Sequence, residues 1–234
     1  MKAISRRDFV QTSVAASAVA ATTAFASKSQ GAETPGPEGK CKIVAISCSP
    51  REGKTTATSL KVCLEAAEKV SPQIETELIE LAGLKINGNL AAGIPLEPGE
   101  KDDFPALVPK LTAPAVRGII IGTPVYFSNM SSLCKSFLDR CIVFYQDDLA
   151  LSNKVAGVLA VGGSRNGGQE ATIQSVQASL FCHEMIVVGN GRPGARFGGT
   201  VWSGIEGGVT EDKYGLATAA NLGRRVAETI LRKK

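Results

Sequence analysis

The chain has 234 residues, 44% of them hydrophobic, and a formal net charge of +4. A balance this mild, without a basic cluster interleaved with aromatics, gives no reason to expect a nucleic acid or an anionic membrane surface as partner. One histidine and six cysteines at positions 41, 48, 63, 134, 141 and 182 leave little material for a metal site, because no cysteine pair has C-x-x-C or Cys/His ligand spacing.

The first 26 residues read as a targeting segment: Ser5-Arg6-Arg7-Asp8-Phe9-Val10, a modest Ala/Ser/Thr-rich run, then Ala24-Phe25-Ala26. Paired arginines followed by Phe9 resemble a twin-arginine export signal, with cleavage expected after Ala26 and a periplasmic destination. The alternatives are an ordinary secretory signal or an anchor that is never removed. The apolar run falls short of the roughly 20 apolar residues of a stable span, so no membrane span is expected after processing. Removing these residues takes away three cations and one anion and leaves about +2. Residues 27–40, rich in Gly, Pro, Glu and Ser without apolar periodicity, read as a flexible linker. Residues 41–234 suit one domain with a substantial core.

From residue 41 onward strands and helices alternate. Apolar runs at 42–48, 76–81, 118–126, 154–163 and 185–189 are mostly continuous, as in strands buried on both faces of a parallel sheet. Helical patterns at 56–70, 102–111 (weak, with prolines), 131–145, 168–182 and 214–231 place apolar residues three and four apart. The alternation predicts an α/β domain: a flavodoxin-like, doubly wound, five-stranded parallel sheet, order 2-1-3-4-5, with helices on both faces. In such sheets ligands sit beyond the carboxyl ends of the strands, at the switch between strands 1 and 3.

Three loops meet that expectation. After strand 1, residues 47–56 (SCSPREGKTT) offer the hydroxyls of Ser47, Ser49, Thr55 and Thr56 and the cations Arg51 and Lys54 where a helix begins, a pattern suited to an anion. Gly53-Lys54-Thr55 also ends an ATP-type phosphate loop, but Cys48 occupies that loop's first glycine position. Strands 3 and 4 end without the carboxylate that would hold Mg²⁺, which leaves ATP binding a remote alternative. After strand 3 come Pro124, Val125, Tyr126, Phe127, Ser128 and Asn129, an aromatic loop. After strand 4 come Gly163, Ser164, Arg165, Asn166, Gly167 and Gly168, where glycines let backbone approach a flat ligand closely.

The three loops together resemble those of the NAD(P)H-dependent FMN reductase and iron–sulfur flavoprotein family of flavodoxin-like proteins. SPREGKTT is similar to the family's S-P-R-x-G-x-x-T phosphate loop. GTPVYFSNMSSLCKSFLDR resembles its flavin loop and following helix, and GGSRNGGQE its G-G-x-x-x-G-G-Q-E loop. The likeness runs over residues 42–232. It implies that Ser49, Arg51, Thr55 and Thr56 hold the FMN phosphate, that Pro124 to Phe127 lie along the ring system, and that Gly163 to Gly168 close over its other edge. Lys54 replaces a usually small residue, and Ser47, Ser128 and Asn129 are neighbours on the same loops.

The resemblance further implies NAD(P)H as electron donor, a small acceptor such as a quinone, metal ion or free flavin, and a homodimer or homotetramer. An FMN carrier fed by a redox protein is the alternative, since nicotinamide cofactors are cytoplasmic and the signal implies export. Iron–sulfur members carry a cysteine cluster after strand 2, whereas residues 84–103 here contain no cysteine, so no iron–sulfur centre is expected. Cys134 and Cys141, about 10 Å apart along one helix, are too distant for a disulfide. A more distant pair stays open. His183 reads as structural. The Gly-rich residues 190–208 read as a long loop in which Trp202 stacks on a flavin, a nicotinamide or a neighbouring subunit, or simply packs.

Overall fold

The computed structural model describes residues 39–232; the expected signal segment and nearly all of the expected linker lie outside them. The central strands are β1 (Cys41–Ser47), β3 (Val116–Pro124) and β4 (Val155–Gly162), flanked by β2 (Ile74–Glu80) on one side. On the other side of β4 run β5 (Ile186–Val187) and β6 (Gly199–Trp202). All pairings are parallel, in the order β2-β1-β3-β4-β5, with β6 also on β4. Every residue of β4 is buried, which explains why VAGVLAVG shows no polar alternation.

The helices divide between the two faces. On one, α1 (Thr55–Glu68) and α6 (Lys213–Arg232) bury Leu60, Cys63, Leu64, Leu222, Val226 and Ile230 against Ile43 and Ala45 of β1. Val44 and Ile46, one residue out of phase, point to the other face. There they meet Phe104 and Leu107 of a 3₁₀ turn (Phe104–Leu107), Leu111 of α2 (Val108–Thr112), and Phe137 of α3 (Ser132–Arg140). Phe144 of α4 (Ile142–Gln146) and Ile173 and Val176 of α5 (Gln169–Phe181) complete that layer. No helix among the described residues is long and apolar enough to cross a membrane.

Three details differ from expectation. The fifth strand is split. β5 pairs with Val155 and Ala156, the chain leaves the sheet after Val188, and β6 returns to pair with Leu159 through Gly162. Part of residues 190–208 is therefore sheet, not loop. GTVW is hard to recognise because Gly198 precedes it, and a Cβ there would lie 2.1 Å from the Val158 carbonyl oxygen. The same close approach that docks the strand thus requires the residue that hides it. Residues 131–145 form two helices meeting at Cys141 rather than one, and residues 102–111 a 3₁₀ turn running into a single helical turn.

Candidate functional site

Parallel pairing brings the ends of β1, β3 and β4 side by side: Ser47 sits opposite Gly122, and Pro124 opposite Val161. The loops that follow are tied together by short hydrogen bonds. Ser131, the N-cap of α3, donates its hydroxyl to the Cys48 carbonyl (2.7 Å) and accepts from the Cys134 N–H (3.1 Å). Its own N–H donates to Thr123 Oγ1 (3.1 Å), and the Val125 N–H reaches the Val161 carbonyl (2.9 Å). One buried hydroxyl therefore links the phosphate-type loop to the aromatic loop.

In the first loop Ser49 is buried, accepting from the Arg51 N–H (3.1 Å) and donating to its carbonyl (3.2 Å). That hydroxyl shapes the turn. Glu80 of β2 accepts the Gly53 N–H (2.8 Å) and holds the loop's outer rim. Lys54 is the N-cap of α1 and supplies no side-chain cap, so the first-turn N–H groups keep no side-chain partner at the positive end of the helix. Arg51 and Lys54 are exposed and form no ion pair among the described residues. Most telling are Ser47 (0% exposed) and Thr56 (1% exposed), whose hydroxyl oxygens are buried without any hydrogen-bond partner. Such groups cost about 1–3 kcal/mol each when left unpaired. Two of them beside an uncapped helix N-terminus fit a group with several acceptor oxygens, as a phosphate monoester has. Thr55 stands half-buried between Lys54 and Thr56 as the first residue of α1.

The aromatic loop is a tight two-residue turn. Tyr126 and Asn129 exchange both backbone hydrogen bonds (2.8 and 3.0 Å), with Phe127 and Ser128 at φ 50° and 60°. Neither central residue is glycine, and the left-handed region costs an ordinary residue about 1–2 kcal/mol. Tyr126 is half-exposed and Phe127 fully exposed at the tip. Pro124 is buried and Val125 half-buried at the strand end.

The glycine loop lies directly against this turn. At Gly168, with φ 95°, an added Cβ would fall 2.7 Å from Ser128 Cα. Gln169, 4% exposed, threads the loop from within: its Oε1 accepts the Gly167 N–H (2.8 Å) and its Nε2 donates to the Ser164 carbonyl (2.6 Å). From outside, Trp202 Nε1 donates to the Gly163 carbonyl (2.9 Å), and Ser203 donates through its N–H (2.9 Å) and hydroxyl (3.1 Å) to that of Gly162. Arg165 pairs with Asp212. A Cβ added at Gly163 would meet nothing within 4 Å.

All the predicted residues thus gather at one sheet end, on three contiguous loops. Sequence reasoning missed Asp212; Thr123 and Ser131 stood within the GTPVYFSNMSSLCKSFLDR motif, though not among the site residues, and Trp202, open there to flavin stacking or plain packing, joins the assembly through its indole N–H. Gln169 stood within the quoted GGSRNGGQE motif, but Asp212 carried no signal, its partner being 47 positions away. An open cleft of about 1070 Å³ between residues 85–101 and α3 includes none of the predicted residues, and one of about 370 Å³ includes Arg165, Asn166 and Gly168. Four buried polar side-chain atoms among the described residues lack a hydrogen-bond partner; two of them, the Ser47 and Thr56 hydroxyls, lie at this sheet end, and the others are His183 Nδ1 and Asn190 Nδ2.

Other reactive side chains are elsewhere or inert. His183 follows α5 and leads into β5, at the opposite end of the sheet, and burial pushes its imidazole below the usual range. The six cysteines are free, and all but Cys182 are buried. Burial pushes the Cys63 thiol up to about 12 and those of Cys48 and Cys141 well up, so these stay protonated at neutral pH. Among the described residues no group of three or more His, Cys, Asp or Glu side chains could hold a metal. The donor set therefore does not fit a cysteine-ligated iron–sulfur cluster.

A doubly wound parallel sheet with an uncapped helix N-terminus, an aromatic turn and a glycine loop at its switch point has the architecture of a flavodoxin-like flavoprotein. The family described as NADPH-dependent FMN reductase matches residues 41–198, and the chain belongs to it. An iron–sulfur flavoprotein of Methanocaldococcus jannaschii is 40% identical over 193 residues, covering 81% of this chain and 97% of that one. A NAD(P)H dehydrogenase (quinone) of Paracoccus denitrificans is 49% identical over 71 residues, 30% of this chain and 34% of its own. Among solved structures, a flavodoxin, WrbA-like protein from Agrobacterium tumefaciens superposes with TM-score 0.58 at 21% identity, over 84% of this chain and all of that one, and shares the fold. The chain is a flavin-dependent oxidoreductase.

Proposed function

We propose that the chain binds FMN with its phosphate at the N-terminus of α1 and uses it to pass electrons from NAD(P)H to a small acceptor, a quinone, metal ion or free flavin. The pair of buried, unpartnered hydroxyls on Ser47 and Thr56 carries this reading. When bound, FMN supplies hydride acceptance and one- or two-electron transfer. The protein's part is binding and orientation. Arg51 and Lys54 would add positive charge at the phosphate, and the Tyr126–Asn129 turn and the glycine loop would hold the ring. The quinone as acceptor is supported by the Paracoccus denitrificans relative's name. No iron–sulfur centre takes part: residues 84–103 hold no cysteine, although the Methanocaldococcus jannaschii relative is named for one.

Residues 1–26 act as a twin-arginine signal and residues 27–40 as a linker, so residues 41–234 work in the periplasm. Exposed Phe127 and Tyr126 beside the site favour a homodimer or homotetramer. The Ser5-Arg6-Arg7-Asp8-Phe9 signal also favours a second reading, an FMN carrier fed by a redox partner, because nicotinamide cofactors are cytoplasmic. Anaerobic holoprotein mixed with NADPH or NADH separates the two. The enzyme reading expects prompt bleaching of the flavin absorbance, and no bleaching by either nucleotide would leave only the carrier.

A further inference from the structure

We propose that Asp212 is a positioning residue for the glycine loop, acting through Arg165 and Trp202 to fix the backbone surface against which the flavin ring rests. The inference depends on the FMN assignment above and extends it to residues beyond the matched segment 41–198.

Asp212 is 1% exposed, on the short connection between β6 and α6. Its Oδ1 accepts from the Arg165 guanidinium and from the Gly215 N–H (3.0 Å), and its Oδ2 from the Trp202 N–H (2.7 Å). Burial pushes its carboxyl up, but Arg165 and the two N–H donors outweigh that and hold it below the usual carboxylate range. It is therefore ionised at neutral pH.

From this one carboxylate two anchors run to the loop. Arg165 belongs to the loop itself, and its guanidinium lies over the rings of Trp202 (5.4 Å) and Tyr214 (5.6 Å). Trp202, whose backbone the carboxylate holds, donates its indole N–H to the Gly163 carbonyl (2.9 Å). Positions 163 and 165 are thus fixed to a single buried charge. The loop between Gly162 and Gln169 contains four glycines counting Gly162, and glycine-rich backbone loses the most freedom on ordering. Holding it in the bound shape beforehand removes that cost from ligand binding. The cation has the same logic. Left unpaired it would swing free, while paired and in contact with two rings it keeps one orientation.

Asp212 also caps α6 through Gly215, so loss of stability alone would not distinguish positioning from a structural role. The test therefore uses Asp212→Asn, which preserves size and an acceptor oxygen, and Arg165→Gln, which leaves the α6 cap intact, together with the double variant. Apo-proteins are titrated with FMN, and the visible spectrum and midpoint potential of the bound flavin are recorded beside the thermal midpoint. Each single variant should raise the FMN Kd about tenfold, a factor of one lost charge-assisted contact. The double variant should be no weaker than the worse single one, because both cut the same link, and the flavin spectrum should shift in all three. A Kd within twofold of wild type for Arg165→Gln, or multiplicative effects in the double variant, would overturn the proposal. If Asp212→Asn does not fold, Trp202→Phe, which removes only the indole donor, takes its place with the same expected Kd change and the same refuting result. Wild-type apo-protein that fails to bind FMN would instead refute the FMN assignment itself, so the two failures are separable.

Discussion

Replacing Arg140 with alanine should cost about 3–5 kcal/mol of folding stability, the range for removing one partner of a buried ion pair. Arg140 meets Asp102 in a bidentate pair, both N–O distances 2.7 Å, with the two side chains 8% and 12% exposed. It also donates to the Asn87 carbonyl (3.3 Å) and stacks over Phe104 at 4.7 Å. Alanine would strand the Asp102 carboxylate with only the Phe104 N–H (3.3 Å) beside it. Adding Asp102→Leu to an Arg140→Met variant should restore most of the loss, because the expense lies in the unpaired charge.

Acid unfolding gives an independent check. The Arg140 hydrogen bonds hold the Asp102 carboxyl below its usual range despite burial. Its folded pKa is thus depressed, so its contribution is present above the unfolded value near 3.9 and fades as pH falls through the folded one. The alanine variant should lose that acid-side slope. Denaturant midpoints across pH measure both effects, and a loss below about 1 kcal/mol would show that the carboxylate escapes to water. The pair also clamps residues 87–102 onto α3, the helix whose N-cap Ser131 joins two of the site loops.

The second large effect has opposite signs on folding and on binding. Thr56→Val and Ser47→Ala each remove a buried hydroxyl that has no partner. Each change should stabilise the apo-protein by about 1 kcal/mol, since an unpaired buried polar group is lost. The same changes should weaken FMN by about 1.5–3 kcal/mol each, the scale of a hydrogen bond to a charged group. Thermal melts of apo-protein and FMN titrations measure the two sides. Hydroxyls that merely packed would give a stability change without an affinity change.

Much of this arrangement was legible in the chain. β1, β3 and β4 announce themselves because strands buried on both faces need unbroken apolar runs, and the loop motifs stand at their ends. The fifth strand was not legible as a split element: two residues pair, the chain leaves the sheet after Val188, and four residues return next to a glycine that close packing demands. Pairings that depend on folding were also invisible. Arg165 read as one more loop residue, and nothing marked Asp212, because the two meet only when β6 lies on β4. Ser49 and Thr56 looked alike in sequence. The fold separates them, turning the first hydroxyl onto the Arg51 backbone and burying the second unpaired.

The central claim is that the N-terminus of α1 holds the phosphate of a flavin. Parallel titrations of apo-protein with FMN and with riboflavin, which lacks only that phosphate, address it most directly. The predicted result is FMN binding at least a hundredfold tighter, about 2.7 kcal/mol, with the preference shrinking at least tenfold in Arg51→Ala. Equal affinity for the two flavins, unchanged by Arg51→Ala, would contradict the placement of the site.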